Sequence, residues 1–431
     1  MIDGARARKL AREFTWVLVG NAVAIVGSVA GVRMLTELMA PAEYGKLALS
    51  LTVANLVMQT VMGPLTNAAS RFYAPAIERN DLQGYLIAVR EFLVKSLVAV
   101  GVVAVAATAM LLAVDEWQWF GITLATFLFA LGSGCYWVLS GIQSAARQRA
   151  IVAIHQGLEP WLRFLAAAVV VLWLGATGTA AMLGYLIASI ALLASQYLFF
   201  RAHIRPSQGP ISTEVQWFHQ MWTYAWPFAA WGVFTWSQQA SDRWALEVFA
   251  SVEDTGRYTA LYQIGFSPLT VAIGLGMQLL GPIFYQRAGD ATDAQRNAGV
   301  ATLTWRLTGL GLASTFIAFL ATLAFHRELL SVAVAEQYVT VSYLLPWLVL
   351  SGGIFGAGQI IALNLMAQLR ARAMSVGKVV TSLLGVILNF FGAYVAGVDG
   401  VVFAGLIFSA SYLIWMAAIA RGRVDGARAA A

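Results

Sequence analysis

About twelve apolar stretches, most of them long enough to cross a bilayer as a helix, dominate this sequence of 431 residues. A helix needs about 20 predominantly apolar residues to cross the hydrocarbon core. Only 11% of the residues are charged, against about 25% in soluble domains. The chain therefore cannot coat a water-soluble body of its size, which excludes a soluble enzyme. The stretches lie at 14–36, 44–70, 86–113, 119–145, 150–175, 178–200, 218–248, 256–285, 297–324, 338–367, 374–396 and 400–420.

The expected fold class is an all-α membrane protein. Hydrocarbon offers no partner for a free backbone amide, so each span must be a helix or part of a closed barrel. Runs of this length lack the residue-by-residue alternation of barrel strands, which selects helices. One cysteine and four scattered histidines predict neither a metal site nor a cofactor.

Lysine and arginine predict the orientation of the chain. They concentrate at both termini and in alternate loops, whereas the opposite loops are mainly acidic. The positive-inside rule then places both termini in the cytoplasm. The basic N-terminus is like a secretory signal, but its apolar run is too long, so we expect a retained first span. The net charge of +6 restates this loop bias and does not predict nucleic-acid binding.

Two stretches of the sequence match at about half the chain length, which indicates an internal repeat. VRMLTELMAPAEYGK (32–46) aligns with DRWALEVFASVEDTGR (242–257), and Phe72-Tyr73 aligns with Phe284-Tyr285. Six spans per half would make the two halves parallel repeats about an axis along the membrane normal, with substrate between them. We expect two six-helix bundles, 1–205 and 218–431, joined by a cytoplasmic linker at 206–217 that is rich in Pro and Gly.

Three segments resemble the polysaccharide transporter family, the Wzx-type O-antigen and exopolysaccharide flippases. They are RMLTELMAPAEYGKLAL (33–49), DRWALEVFASVEDTGRYTAL (242–261) and ELLSVAVAEQYVTVSYLLPWLVL (328–350), similar to that family's junctions between spans 1–2, 7–8 and 9–10. The family belongs to the multidrug/oligosaccharidyl-lipid/polysaccharide exporter superfamily. This chain departs from many members because it has no additional C-terminal pair of spans.

The resemblance implies two V-shaped bundles around a central cavity in a bacterial inner membrane. It also implies that alternating access moves an undecaprenyl-pyrophosphate-linked oligosaccharide from the cytoplasmic to the periplasmic leaflet. A polysaccharide polymerase and a chain-length regulator are the expected partners, and we expect the transporter to be a monomer.

Span 2 carries a polar stripe whose members are four residues apart: Asn55, Gln59, Gly63, Asn67 and Arg71. Such a stripe either packs on a neighbouring helix through hydrogen bonds or lines a wet cavity. We expect the cavity, with Arg71 near the cytoplasmic end, because the planar guanidinium fork suits phosphate.

Span 5 carries His155, Glu159 and Arg163 at i, i+4 and i+8, which places them on one helix face. They form either a self-neutralising ladder between helices or a cavity site. In the second interpretation Arg163 binds an anion, and Glu159 and His155 position it or exchange a proton.

Span 7 carries Gln238, Gln239, Asp242 and Arg243 on neighbouring faces. Amides suit the dense hydroxyls of sugars, so Gln238 and Gln239 are candidates for substrate contact and Asp242 for ion coupling. The alternative for Arg243, as for the nearby Trp244, is that it anchors the periplasmic interface.

Two i, i+4 pairs recur in the repeat, Arg33 with Glu37 and Arg243 with Glu247. They either close the periplasmic mouth, which makes Glu37 and Glu247 gating or ion-coupling candidates, or contact substrate directly. Arg306 in span 9 has no obvious acidic partner and is a further cavity candidate.

The leading hypothesis is therefore a lipid-linked oligosaccharide flippase, and the alternative is an ion-coupled multidrug antiporter of the same superfamily. Drug substrates are usually cationic and would prefer carboxylates in the cavity, whereas a diphosphate prefers arginines. The intramembrane balance of the two is nearly even, so the choice rests mainly on the resemblance. No P-loop pattern is present, which argues against direct use of ATP.

Overall fold

The computed structural model describes residues 4–204, 216–289 and 293–421, and throughout them the secondary structure is helical, without a strand. Ten helices in these ranges are long and apolar enough to cross a membrane. The chain is therefore a multi-pass membrane protein. Most of the linker predicted at 206–217, and the ends of both termini, lie outside the described residues.

The chain forms two compact units, Met1–Trp236 (unit 1) and Ser237–Ala431 (unit 2). The helices are, in chain order, α1 (Gly4–Leu38), α2 (Pro41–Val57), a π-helical turn (Met58–Met62), α3 (Gly63–Glu78), α4 (Leu82–Ala113), α5 (Trp117–Ala145), α6 (Arg149–Leu174), α7 (Gly178–His203), α8 (Trp217–Phe249), α9 (Val252–Gly265), α10 (Ser267–Ala288), α11 (Ala294–Ala333), a 3₁₀ helix (Glu336–Leu344), α12 (Leu345–Ala367) and α13 (Ala371–Arg421).

The boundary between the units lies inside α8 and not in the segment 206–217. Trp217, the first residue of α8, is buried in unit 1, where its indole Nε1 donates to Asp81 Oδ2 at 2.8 Å. Further along α8, Trp236 Nε1 donates to the carbonyl oxygen of Thr52 at 2.6 Å. The first half of α8 therefore packs with unit 1, which extends this unit well beyond residue 205.

The α1–α6 contact depends on glycines that leave room for aromatic rings. Gly27 faces the indole of Trp161, and Gly31 faces the ring of Phe164. The same indole Nε1 donates to the carbonyl oxygen of Val23 at 3.0 Å. Glycine thus brings the two helices close enough for a side chain to hydrogen-bond to the opposite backbone.

The second apolar segment of each unit is interrupted and resumes at a proline. In unit 1 the π-helical turn ends at Met62 and α3 begins Gly63-Pro64; in unit 2, α9 ends at Gly265 and α10 begins Ser267-Pro268. Proline has no N–H to donate to the preceding turn, so each helix loses one intrahelical hydrogen bond at this point.

The repeat read from the sequence is matched inside the two units. Asp81 caps the start of α4, accepting from Gly84 N at 3.1 Å, and Asp293 caps the start of α11 in the same way. Ala76 and Ala288, one helix earlier, are both fully buried. In each of these two pairs the second residue lies 212 positions after the first, as in the alignment of Phe72-Tyr73 with Phe284-Tyr285.

Ion pairs at the start of the second segment repeat as well. Lys46 Nζ lies 2.7 Å from Glu43 Oε1, three residues earlier. Arg257, which aligns with Lys46, lies 3.6 Å from Asp254, again three residues earlier. Both units therefore build this corner from the same local pattern.

Helix α13 reverses direction at Gly397, where φ is 53° and only glycine is unstrained. The two arms then pack side by side. Gly385 lies against Phe408, and Gly392 and Gly400 touch through their backbones. The reversal falls between the spans predicted at 374–396 and 400–420.

We expect Gly184→Leu to destabilise unit 1, because a Cβ at this position in α7 would meet the backbone of Ala166 and Ala167 in α6. Overpacking of this kind costs about 1–3 kcal/mol. Thermal unfolding of the purified protein in detergent measures the loss. The matched control is Gly101→Leu in α4, where nothing lies within 4 Å of a Cβ; equal melting temperatures for the two variants would contradict the packing account.

Candidate functional site

The polar stripe of the second segment lies on the outside of unit 1. Asn55, Asn67 and Arg71 are exposed, and Gln59 and Gly63 are half-buried. In an α-helix, residues four apart drift around the axis by about 40° at each step. The π-helical turn at Met58–Met62 has a wider turn, which offsets part of that drift. The interruption therefore keeps the polar side chains closer to one face.

Arg71 is an exposed cation whose contact in unit 1 is with an aromatic ring. Its guanidinium lies 6.0 Å from the ring centre of Phe72, and it forms no ion pair with a described carboxylate. An arginine in this state keeps its planar set of donors available for a solute anion.

Glu159 and Arg163 form a partly buried ion pair in unit 1. Their closest atoms, Oε1 and Nη1, are 3.9 Å apart, too far for a hydrogen bond. The guanidinium of Arg163 lies 5.0 Å from the ring centre of Tyr185 in α7 and 5.4 Å from that of Phe164. Glu159 and Arg163 therefore neutralise each other along α6, as the ladder interpretation expects for these two residues.

His155 is buried and hydrogen-bonded on both ring nitrogens. Nδ1 lies 2.9 Å from the carbonyl oxygen of Ile151, and Nε2 lies 3.0 Å from Ser195 Oγ. Because a carbonyl can only accept, Nδ1 carries the proton and Nε2 accepts from the serine hydroxyl. The same ring packs edge-on against Phe199. His155 therefore joins α6 to α7, and its contacts are those of a packed residue.

The charged cluster of unit 2 is centred on Asp242. Its Oδ1 lies 3.1 Å from Arg243 Nη1, and its Oδ2 accepts from Tyr258 Oη at 2.8 Å. The guanidinium of Arg243 also lies 4.7 Å from the ring centre of Tyr262. Both charged side chains are almost covered, with 9% of Asp242 and 11% of Arg243 exposed. The cluster is thus a desolvated ion pair in a tyrosine-lined pocket of α8 and α9.

The repeat shows how this cluster arose. Arg33 forms an ion pair with Glu37 that is 38% and 50% exposed. In unit 2 the equivalent Arg243 forms its ion pair with Asp242, the residue just before it, which aligns with buried Val32. Glu247, the equivalent of Glu37, keeps a buried Oε2 that has no hydrogen-bond partner among the described residues. A single change from an apolar residue to aspartate thus distinguishes the two units here.

The two glutamines of span 7 differ in exposure. Gln239 is exposed, and its backbone carbonyl oxygen accepts from Arg243 Nη1 at 3.1 Å. Gln238 is half-buried. Next to them, Ser241 Oγ accepts from Asn389 Nδ2 at 2.8 Å, which ties α8 to α13 within unit 2.

Within the apolar spans predicted for unit 2, two cations form no ion pair with a described carboxylate. Arg306 in α11 is exposed, as the sequence suggested. Lys378 in α13 is half-buried, and the sequence analysis did not single it out. Its signal was present, because it is a lysine inside the apolar span 374–396.

The candidates of each unit are as follows. Unit 1 holds the α2–α3 stripe, the Glu159–Arg163 pair and the exposed Arg33–Glu37 pair. Unit 2 holds the Asp242–Arg243 cluster, with Glu247 on the same helix and Arg306 on α11. Among the described residues no group of His, Cys, Asp and Glu could hold a metal ion.

We expect Arg243→Ala to lower the free energy of unfolding far more than Arg33→Ala. Removing one partner of a buried ion pair costs about 3–5 kcal/mol, because it leaves the other charge desolvated. An exposed pair contributes about 0–1 kcal/mol. Denaturant unfolding of the two purified variants makes the comparison, and similar losses in both would contradict the burial argument.

Comparison with known proteins gives fold relatives. No family model and no curated protein matches the sequence. The lipid II flippase MurJ, in an inward closed conformation, is similar with a TM-score of 0.69 at 11% identity, over 94% of this chain and 86% of that one. An inward-facing multidrug resistance MATE transporter of the MOP superfamily gives 0.68 at 11% identity, over 94% of both chains.

A third solved structure, the Vibrio cholerae MATE transporter VcmN, gives a TM-score of 0.64 at 14% identity over 97% of both chains. At such identities the likeness establishes the fold alone. The chain has the fold of MurJ and of these MATE transporters. The narrower assignment to the polysaccharide transporter family stays a prediction.

Proposed function

We propose that this protein is a flippase that moves a lipid-linked, anionic oligosaccharide across the membrane. The observation that carries the proposal is the charge of those candidate residues, together with Lys378, that form no ion pair with a described residue. Arg71, Arg306 and Lys378 have none. The carboxylates of Glu37, Glu159 and Asp242, in contrast, each lie within ion-pair distance of an arginine, so the charges left for a solute are mainly positive.

The neutral members of the exposed stripe fit the glycan part of such a substrate. Asn55 and Asn67 are exposed on α2 and α3, with half-buried Gln59 between them. Side-chain amides both donate and accept, so they can bind hydroxyl groups without a net charge. Arg71 continues the stripe and would bind the diphosphate, because arginine matches phosphate oxygens with paired donors.

The proposed architecture is twelve membrane helices in two six-helix bundles. The ten candidate spans treat α13 as one helix and leave out α8, which is rich in tryptophan. Counting α8, and the two arms of α13 separately, gives twelve.

We further propose a bacterial inner membrane location with both termini in the cytoplasm, following the loop charges. A polymerase and a chain-length regulator are the proposed partners, and the oligosaccharide is delivered to the periplasmic leaflet for surface polysaccharide assembly. Ion coupling, if transport uses it, would involve Glu159, Asp242, Glu37 or Glu247.

One observation favours the alternative, an ion-coupled multidrug antiporter. Glu247 keeps a buried carboxylate oxygen that has no hydrogen-bond partner among the described residues, and a cationic drug or a coupling cation prefers such a group. Glu247 is one carboxylate, whereas the cations Arg71, Arg306 and Lys378 have no ion pair with a described residue. The flippase therefore remains the better fit.

We expect Arg71→Ala and Arg163→Ala each to abolish glycan export while the protein still reaches the membrane. Host cells that lack the native gene are complemented with each variant, and undecaprenyl-linked glycans are extracted and identified by mass spectrometry. Loss of Arg71 removes an exposed anion-binding donor set, and loss of Arg163 removes the cation beside Glu159. Both variants should accumulate a complete lipid-linked repeat unit.

Arg327→Ala is the matched control, because Arg327 in α11 and its partner Glu336 in the 3₁₀ helix are both largely exposed. It should export glycan like the wild type. Normal export in both test variants would refute the assignment of Arg71 and Arg163. Normal glycan in the deletion strain, with new sensitivity to cationic dyes, would favour the antiporter.

A further inference from the structure

A file of polar groups follows the contact of α5, α6 and α7 inside unit 1; it is fully buried at Gln143 and Gln196 and partly buried at Glu159 and Arg163. At its first level, next to the α5–α6 turn, the side chains of Gln143 and Gln196 are hydrogen-bonded to each other, and both are fully buried. His155 and Ser195 lie beside them, since Ser195 precedes Gln196 in α7. This level lies close to the end of the unit, because α5 ends at Ala145.

Two further levels continue the file along α7. Tyr136 of α5 lies close enough to Glu159 of α6 to feel the charge of its carboxylate. Beyond them, Arg163 lies over the ring of Tyr185. Between Gln196 and Tyr185 the helix rises about 16 Å at 1.5 Å per residue.

Polar atoms at every level lack a hydrogen-bond partner within the described protein. They are the donors Gln143 Nε2, Tyr136 Oη and Arg163 Nε, and the acceptors Gln196 Oε1 and Gln148 Oε1, the last at the α5–α6 turn. Buried polar groups are almost always hydrogen-bonded, to protein or to ordered water. Both donors and acceptors are present along the file, which suits water because each molecule both donates and accepts.

The groups of the file can relay a proton as well as bind water. His155 Nδ1 donates to the Ile151 carbonyl oxygen, so its Nε2 is a basic nitrogen facing the Ser195 hydroxyl. The ionisable groups that face Glu159 are Arg163 and His155 on its own helix, Tyr136 on α5 and Tyr185 on α7. The neighbouring α1 presents glycines to α6, namely Gly20, Gly27 and Gly31.

We propose that ordered water fills this file from the α5–α6 turn to Glu159 and carries protons to and from the Glu159 carboxylate. A proton taken up from water at the turn ends on a carboxylate oxygen of Glu159, and its release follows the same path in reverse. Glu159 thereby responds to the pH on the side of the membrane where the α5–α6 turn lies. The inference does not depend on which solute the protein carries.

Hydroxyl-radical footprinting tests the water in the file, because radiolysis of water oxidises the side chains that touch it. Tyr136 is the probe and Tyr85 the internal standard: they are 1% and 0% exposed, but the Tyr85 hydroxyl donates to the Ala69 carbonyl oxygen and needs no water. In nanodiscs we expect Tyr136 to be oxidised severalfold faster than Tyr85. Equal rates would overturn the proposal.

The double variant Gln143→Leu/Gln196→Leu closes the file at its first level. Replacing both partners of a hydrogen bond by apolar groups of similar size is nearly neutral for stability. Oxidation of Tyr136 should then fall to the rate of Tyr85. The matched control is Ser351→Ala/Ser409→Ala, which removes a buried side-chain pair in unit 2 and should leave Tyr136 unchanged.

Infrared spectroscopy after a pH jump follows the proton itself, with the Glu159→Gln spectrum subtracted to isolate the Glu159 band. We expect the Glu159 response to be several times slower in the double leucine variant than in the wild type. An unchanged rate in a folded variant would overturn the proton path. If the double variant does not fold, Ser195→Ala replaces it, with Ser189→Ala, whose hydroxyl serves only its own helix backbone, as the control.

Discussion

A charge or polar group without a partner is very unfavourable in hydrocarbon. A membrane helix can therefore carry such a side chain mainly where another group pairs with it. This constraint accounts for most of the polar contacts inside the two units. Asp242 is held by Arg243 and Tyr258, and the indole of Trp217 is held by Asp81. The cations that escape the rule, such as Arg71 and Arg306, lie on exposed faces. Pairing therefore separates the side chains that hold the protein together from those that remain for a solute.

The helical spans could be predicted from the sequence, because the length of an apolar segment has a direct physical cause in the thickness of the membrane. Apolar length predicted the spans. The offset of 212 between Phe72-Tyr73 and Phe284-Tyr285 also separates Asp81 from Asp293, which the structure shows as the caps of α4 and α11. The segment 206–217 stays the predicted linker, and the contact boundary between the two units falls within α8. Composition pointed to the Pro- and Gly-rich segment at 206–217, but compactness depends on packing, and the first half of α8 packs with unit 1. A loop-like composition marks where the chain is polar and does not mark where its contacts end.

The sequence predicted which residues carry the polar groups of the candidate site, and it predicted less well which residues pair with each other. Periodicity placed Asn55, Asn67 and Arg71 on one face, and they are exposed together. Spacing of i, i+4 predicted the Arg33–Glu37 pair, and it suggested the same for Arg243. Arg243 instead pairs with the adjacent Asp242, because that carboxylate is buried beside it and would otherwise be desolvated alone. Sequence spacing gives the available partners, and burial selects among them.

The substitution at the position of Val32 and Asp242 has a consequence for the ancestry of the chain. If the two halves descend from one duplicated gene, a single codon change was enough to give one copy a buried carboxylate and to redirect an arginine that both copies inherited. A chain assembled from two copies of the first half would keep an aspartate cap in each copy, since Asp81 and Asp293 are equivalent. It would have valine where Asp242 lies, so the two halves share a helix cap and differ in this buried acid.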